Sequence, residues 1–180
     1  SVSASTSTFA FASASASASV SASASASQVA HSGRKKSSWM KSIALNNFIR
    51  IIGGFHATFV SLQYGDHQKE IDDISKQTGK LIISDNKVDS LKNLDRFASQ
   101  VSAMDLVITN SNTAAHMAGA LGTPVWTILP YTGSGGLLWY WFKSSQKSPW
   151  YKSMKLYRQE KSQPWTSIIK KVMVDLDKFK

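Results

Sequence analysis

The sequence predicts an α/β fold built on a doubly wound parallel sheet, and three observations predict it. Short apolar runs, β-branched in part, alternate with segments whose apolar residues recur at helical spacing. Glycine and proline punctuate the changes of period, above all Gly79, Gly122 and Pro124. Between Met104 and Pro130 a strand, a helix and a second strand follow so closely that the strands must form a parallel pair with a right-handed crossover.

In chain order, Ile43, Leu45, Phe48, Ile49 and Ile52 mark a helix that ends at Gly53-Gly54. Thr58–Gln63 follows as a strand with Gln63-Tyr64-Gly65-Asp66 as its exit loop. Asp66 is a capping residue for a helix over Glu70, Ile71 and Ile74 that stops at Gly79. Lys80–Ile83 is the next strand, Asp85–Asn93 a polar loop, and Leu94, Phe97, Ala98 and Val101 a helix. Leu106–Ile108 is the central buried strand. The chain turns to helix near Asn110–Thr113, carries Ala114, Ala115, Ala118 and Leu121 at helical spacing, and resumes as strand over Val125–Leu129. After the Gly-rich loop Tyr131–Gly136 comes an aromatic run, Leu137–Phe142. Ser148–Tyr151 is a turn, Lys155–Arg158 a short strand, and Trp165–Phe179 an amphipathic closing helix with Ile168, Ile169, Val172 and Leu176 inward.

Residues Ser1–Ala30 stand apart. They carry no charge and are dominated by alternating Ser and Ala, too little apolar surface to offset the entropy of ordering, so the expectation is a disordered low-complexity segment. A Ser-rich transit peptide, a linker and an unnatural or truncated terminus compete as explanations. Residues 31–180 form the expected folded domain.

Lys and Arg number 21 against 11 acids, a net charge of +10, which favours anionic ligands. The cluster Gly33-Arg34-Lys35-Lys36 is too short for a nucleic-acid arm, and no nucleic-acid partner is expected. The absence of cysteine excludes disulfides and thiolate metal sites, and the four histidines lack metal-type spacing, so no metal is expected. No apolar run reaches membrane-spanning length, and a cytoplasmic location is expected unless the tract is a transit peptide.

Ligands of such sheets collect at the carboxyl ends of the strands, where Gln63, Asp85, Asn110 and Pro130 fall. Ser111, Asn112 and Thr113 begin the central helix without a carboxylate to compete with an anion, and His116 follows in the first turn. That composition suits a phosphate. On these residues alone an ordinarily capped α/β helix with a packed histidine is the favoured reading. Gly133–Gly136 lacks the spacing and the lysine of a P-loop, and the aromatic run reads as core or as a docking face as readily as a stacking surface.

A series of short motifs carries a family resemblance: Ser61-Leu62-Gln63-Tyr64-Gly65, Asp105–Ile108, Ser111-Asn112-Thr113 with His116, Ala118–Gly122, Pro124-Val125-Trp126, Leu138–Trp141, Ser148–Tyr151 and Tyr157-Arg158-Gln159, in that order. The series resembles the C-terminal domain of bacterial tetratricopeptide-repeat glycosyltransferases. Those are similar to the ADP-heptose:lipopolysaccharide heptosyltransferase family and, more distantly, to protein O-GlcNAc transferases. It covers Lys41 to Val174. The resemblance implies a Rossmann-like domain, the nucleotide-sugar-binding half of a GT-B fold, acting without metal or other cofactor. Its donor-binding set would be Lys41, Gln63, Ser111, Asn112, Thr113 and His116. Ser111 stands where many relatives carry an acid, and Ala44 replaces the usual proline beside Lys41. The expected opening strand is poorly represented in Gln28–Lys36. The resemblance further implies that the acceptor domain and catalytic base come from a missing N-terminal GT-B or tetratricopeptide-repeat region, so that this chain alone is inactive. A non-catalytic nucleotide-binding or protein-interaction module is the competing class.

Overall fold

In the computed structural model, residues 9–13, 18–23, 43–63, 65–131, 139–142 and 145–179 are described. The predicted α/β alternation is present. The central strand β5 (Leu106–Asn110) leads into helix α4 (Thr113–Leu121) and back to β6 (Val125–Leu129), which lies parallel to β5 with Val107 opposite Val125 and Asn110 opposite Ile128. β7 (Met154–Arg158) adds parallel to β6. On the other side β3 (Thr58–Ser61) pairs parallel with the edge strand β4 (Ile82–Ser84).

The helices start and stop for local reasons. A 3-10 turn over Leu45–Phe48 runs into α1 (Ile49–Gly54). α2 (Gln68–Thr78) ends at Gly79, whose φ of 66° is left-handed and costs a residue without Cβ little. Its N-cap is His67 rather than Asp66; the Asp66 carboxylate accepts the Gln68 N–H at 3.4 Å, one position removed from the expected cap. α3 (Leu94–Ser102) is capped by Asn93, which accepts the Arg96 N–H at 2.9 Å. The closing helix α5 (Trp165–Leu176) follows Pro164.

Side-chain alternation sorts the core into two layers. Leu106, Ile108, Trp126, Ile128 and Tyr157 face α1, α2 and α5, whereas Val107, Val125, Leu129 and Leu156 face α3 and α4. Both faces of β5 and β6 are covered, which is why each reads as a continuous apolar run rather than an alternating one.

The Ser/Ala tract departs from its expectation of disorder in two places. Phe9–Ser13 (β1) and Ala18–Ser23 (β2) pair antiparallel with each other, and the sheet order is β4-β3-β1-β2-β5-β6-β7. β2 runs parallel along β5 with Val20 opposite Leu106; β1 meets β3 at Ala12 opposite Thr58 and also registers antiparallel on β5. The expectation considered only apolar burial. Main-chain hydrogen bonding to the edges of β3 and β5 is a second source of order, and a strict two-residue alternation has the period a strand requires. The other residues of the tract lie outside the described residues.

Candidate functional site

The strand-to-helix turn at β5 and α4 is held by a chain of side-chain hydrogen bonds. The Thr109 hydroxyl donates to Asn112 Oδ1 at 3.0 Å, the same oxygen accepts the Ala115 N–H at 3.1 Å, and Asn112 Nδ2 donates to Asn110 Oδ1 at 2.8 Å. Asn112 is thus the N-cap, with both functions of its amide engaged. The N–H groups of Thr113 and Ala114 have no carbonyl four residues back within the helix, and Thr113 itself is exposed. At the far end Gly122, at φ 77°, closes the helix.

An aromatic wall stands beside this turn. Trp141, 1% exposed, donates its Nε1–H to Ser111 Oγ at 2.7 Å and stacks on the His116 ring with centroids 5.0 Å apart. Tyr140 and Tyr151 meet the same imidazole edge-on at 5.2 and 5.8 Å. Tyr151 OH lies 3.1 Å from His116 Nδ1. Burial among these rings pushes the His116 pKa below its ordinary 6.5, so the imidazole is neutral at neutral pH. Burial likewise raises the Tyr140 hydroxyl, against the opposing hydrogen bond from Ser111.

Two features place the wall. Ser148 Oγ accepts the N–H groups of Trp150 and Tyr151, at 3.2 and 3.3 Å, and so turns Tyr151 toward α4. Arg158, at the end of β7, donates to the carbonyls of Ser145, at 3.0 Å, and Trp141, fastening the aromatic turn over the sheet end. Removal from water lowers the Arg158 pKa.

Of the residues expected to bind a donor, Ser111, Asn112, Thr113 and His116 are gathered at one turn. Gln63 follows β3, half-buried, with its N–H on Ser61 Oγ at 3.4 Å. Since β3 and β5 both run antiparallel to β1, they point the same way, and Gln63 stands at the same end of the sheet with β1 and β2 intervening. Lys41, the Gly33–Lys36 cluster and the Gly133–Gly136 loop lie outside the described residues. Tyr140, Trp141, Tyr151 and Arg158 were not on the expected site list. Their motifs were visible, but nothing local to Ser148–Tyr151 says that its tyrosine returns to a histidine 35 positions earlier.

The chain is similar to the protein FlbA of Caulobacter vibrioides. Over 122 residues, 67% of this chain, the two are 33% identical, and the match takes in 19% of FlbA. The chain therefore spans about a fifth of the length of the curated relative it matches. No family model matches the sequence, and no solved structure matches it significantly. Among the described residues no helix is long and apolar enough to cross a membrane.

Proposed function

We propose that this domain binds a nucleotide-diphosphate sugar and is the donor-binding half of a glycosyltransferase of GT-B architecture. The observation that carries the reading is the grouping at the β5–α4 turn: a rigidly capped helix start with unspent N–H groups, Ser111 and Thr113 on it, and His116 one turn in. The helix N-terminus attracts an anion through its aligned dipoles and its orphan donors. The chain's excess of positive charge draws anions generally. In a transfer reaction the same donors would stabilise the departing diphosphate, an electrostatic role that asks for no reorganisation during the reaction. The acceptor and the catalytic base belong, in this reading, to a separate GT-B half. FlbA's name carries no chemistry, and the donor-binding assignment rests on the turn and on the motif series.

A second reading has its own observation. Phe142 and Trp150 are 45% and 54% exposed and lie 6.3 Å apart, beside a hollow of about 340 Å³ lined by Phe142, Ser145, Lys147, Ser148 and Pro149. Exposed paired aromatics suit a protein-interaction module. Calorimetric titration with ADP and UDP, with and without chelator, separates the two. Binding of either nucleotide unaffected by chelator is the result expected; no heat with either at millimolar concentration contradicts the donor-binding reading and leaves the aromatic face as the feature to explain.

A further inference from the structure

The contact between α4 and the Ser148–Tyr151 turn is closer than ordinary packing. A Cβ added to Gly119 would stand 2.5 Å from Tyr151 Cγ and 2.7 Å from Cδ2, distances that real Cβ atoms do not reach. Gly119 lies three residues after His116, on the same helical face. Its missing side chain is the notch through which the Tyr151 ring passes to bring its hydroxyl within 3.1 Å of His116 Nδ1. Here the glycine is needed for a close approach, not for its backbone freedom.

A hydroxyl opposite a ring nitrogen can be read in two directions. A phenol is the stronger donor and a neutral imidazole nitrogen the stronger acceptor. If Nδ1 carried the proton instead, the phenol O–H would have to turn to solvent, because among the described residues it has no acceptor besides His116, and a half-buried ring pair favours the internal bond. The remaining nitrogen, Nε2, has no hydrogen-bond partner among the described residues, and the His116 side chain is half-buried rather than enclosed.

We propose that Tyr151, seated by Gly119, is a positioning residue whose hydroxyl donates to His116 Nδ1 and so fixes the imidazole with its proton on Nε2, offered to the ligand as a neutral N–H donor. The consequence is a site that meets an anionic oxygen with a donor across neutral pH without first protonating the histidine. The burial that lowers the His116 pKa works in the same direction. The ligand side of this inference rests on the diphosphate reading; the tautomer does not.

Nitrogen NMR of the imidazole in the whole chain, without nucleotide, is the test, with the His116 signals assigned by their loss in His116→Asn. The expected wild-type pattern has the proton on Nε2 and an Nδ1 shift displaced as for a nitrogen that accepts a hydrogen bond. Tyr151→Phe keeps the ring and should move Nδ1 to the value of a free acceptor, with a fall in ADP affinity of about three- to tenfold, one neutral hydrogen bond's worth. Gly119→Ala, which keeps the hydroxyl but fills the notch, should move Nδ1 the same way. A protonated Nδ1 in the wild type, or an Nδ1 shift unchanged in Tyr151→Phe, would overturn the proposal. Should ADP not bind the unaltered chain, the diphosphate reading falls, and the Nδ1 shift alone decides the tautomer.

Discussion

Two aromatic clusters lie on opposite faces of the sheet, and each sits against a titratable group. On the α1, α2 and α5 face, Asp175 Oδ2 accepts from Lys155 Nζ at 2.6 Å and from the Tyr157 hydroxyl at 2.8 Å. The Lys155 ammonium sits 5.1 Å from the Tyr157 ring centroid and 5.8 Å from that of Trp126, and Phe179 meets Trp126 edge-on. On the α3 and α4 face, His116 sits against Tyr140, Trp141 and Tyr151. The ingredients are alike and the outcomes differ. In the first cluster the lysine, the tyrosine and the carboxylate oxygen meet one another, so the arrangement ties α5 to β7. In the second, Nδ1 is engaged while, among the described residues, Nε2 and the N–H groups of Thr113 and Ala114 are not, beside a helix start whose dipole favours anions. Rings around a charge do not by themselves make a site; the donor-binding proposal rests on the donors left over at the strand end.

The contrast predicts different responses to mutation, the largest at the wall itself. Trp141→Ala removes a ring that is 1% exposed together with its bond to Ser111, and should destabilise the domain by about 3–5 kcal/mol. Chemical denaturation measures it; a loss below ~1 kcal/mol would mean that the aromatic turn contributes little to that face of the core. Asn112→Ala should cost ~1 kcal/mol as a lost cap and should also weaken ADP binding, because the turn that presents the donors loses its lock.

On the opposite face, Asp175→Asn should leave ADP affinity unchanged. The Lys155 and Asp175 side chains are 41% and 31% exposed, so solvent screening holds the expected stability cost to about 1 kcal/mol or less. Its pH dependence has a definite sign. The hydrogen bond from Lys155 holds the Asp175 carboxyl below its ordinary 3.8. The unfolded chain therefore binds this proton first as pH falls, and the stabilisation is full above 3.8 and lost as pH drops through the depressed value. Thermal unfolding of both proteins between pH 7 and pH 3 should show the wild-type advantage shrinking at the acid end. Burial, together with the Asp175 carboxylate, keeps the Tyr157 hydroxyl protonated far above the usual range; the unfolded chain gives up this proton near the ordinary 10.0, so the stabilisation is full below that value and falls as the pH rises above it.

How much of this could be read from the sequence follows from where each signal lies. The β5–α4–β6 unit was legible because its rules are local: Ser111, Asn112 and Thr113 can all cap, Gly122 and Pro124 stop, and the apolar period changes between them, although only the backbone singles out Asn112 as the N-cap. The boundaries of β6 and the start of α5 at Trp165 were legible for the same reason. Asp66 was read as a cap one residue early, since Asp66 and His67 are both polar and only the backbone decides which is N-cap. The Tyr151–His116 contact was not legible. It depends on a notch at Gly119 that in sequence is only one more small residue on a helix facing a sheet. β1 and β2 were missed because their pairing draws on the edges of β3 and β5, and a Ser/Ala alternation states a period but no partner.

The central claim is that His116 is a ligand donor at an anion-receptive helix start and not one more packed ring. Calorimetric titration of ADP into His116→Asn at pH 7.5, beside the wild type, tests it most directly. The account predicts a protein that stays folded, with ~1 kcal/mol lost from the stacking on Trp141, and an affinity about ten- to a hundredfold weaker, the cost of a hydrogen bond to a charged group. An ADP affinity equal to that of the wild type in a stably folded His116→Asn protein would contradict the site and the donor-binding function together.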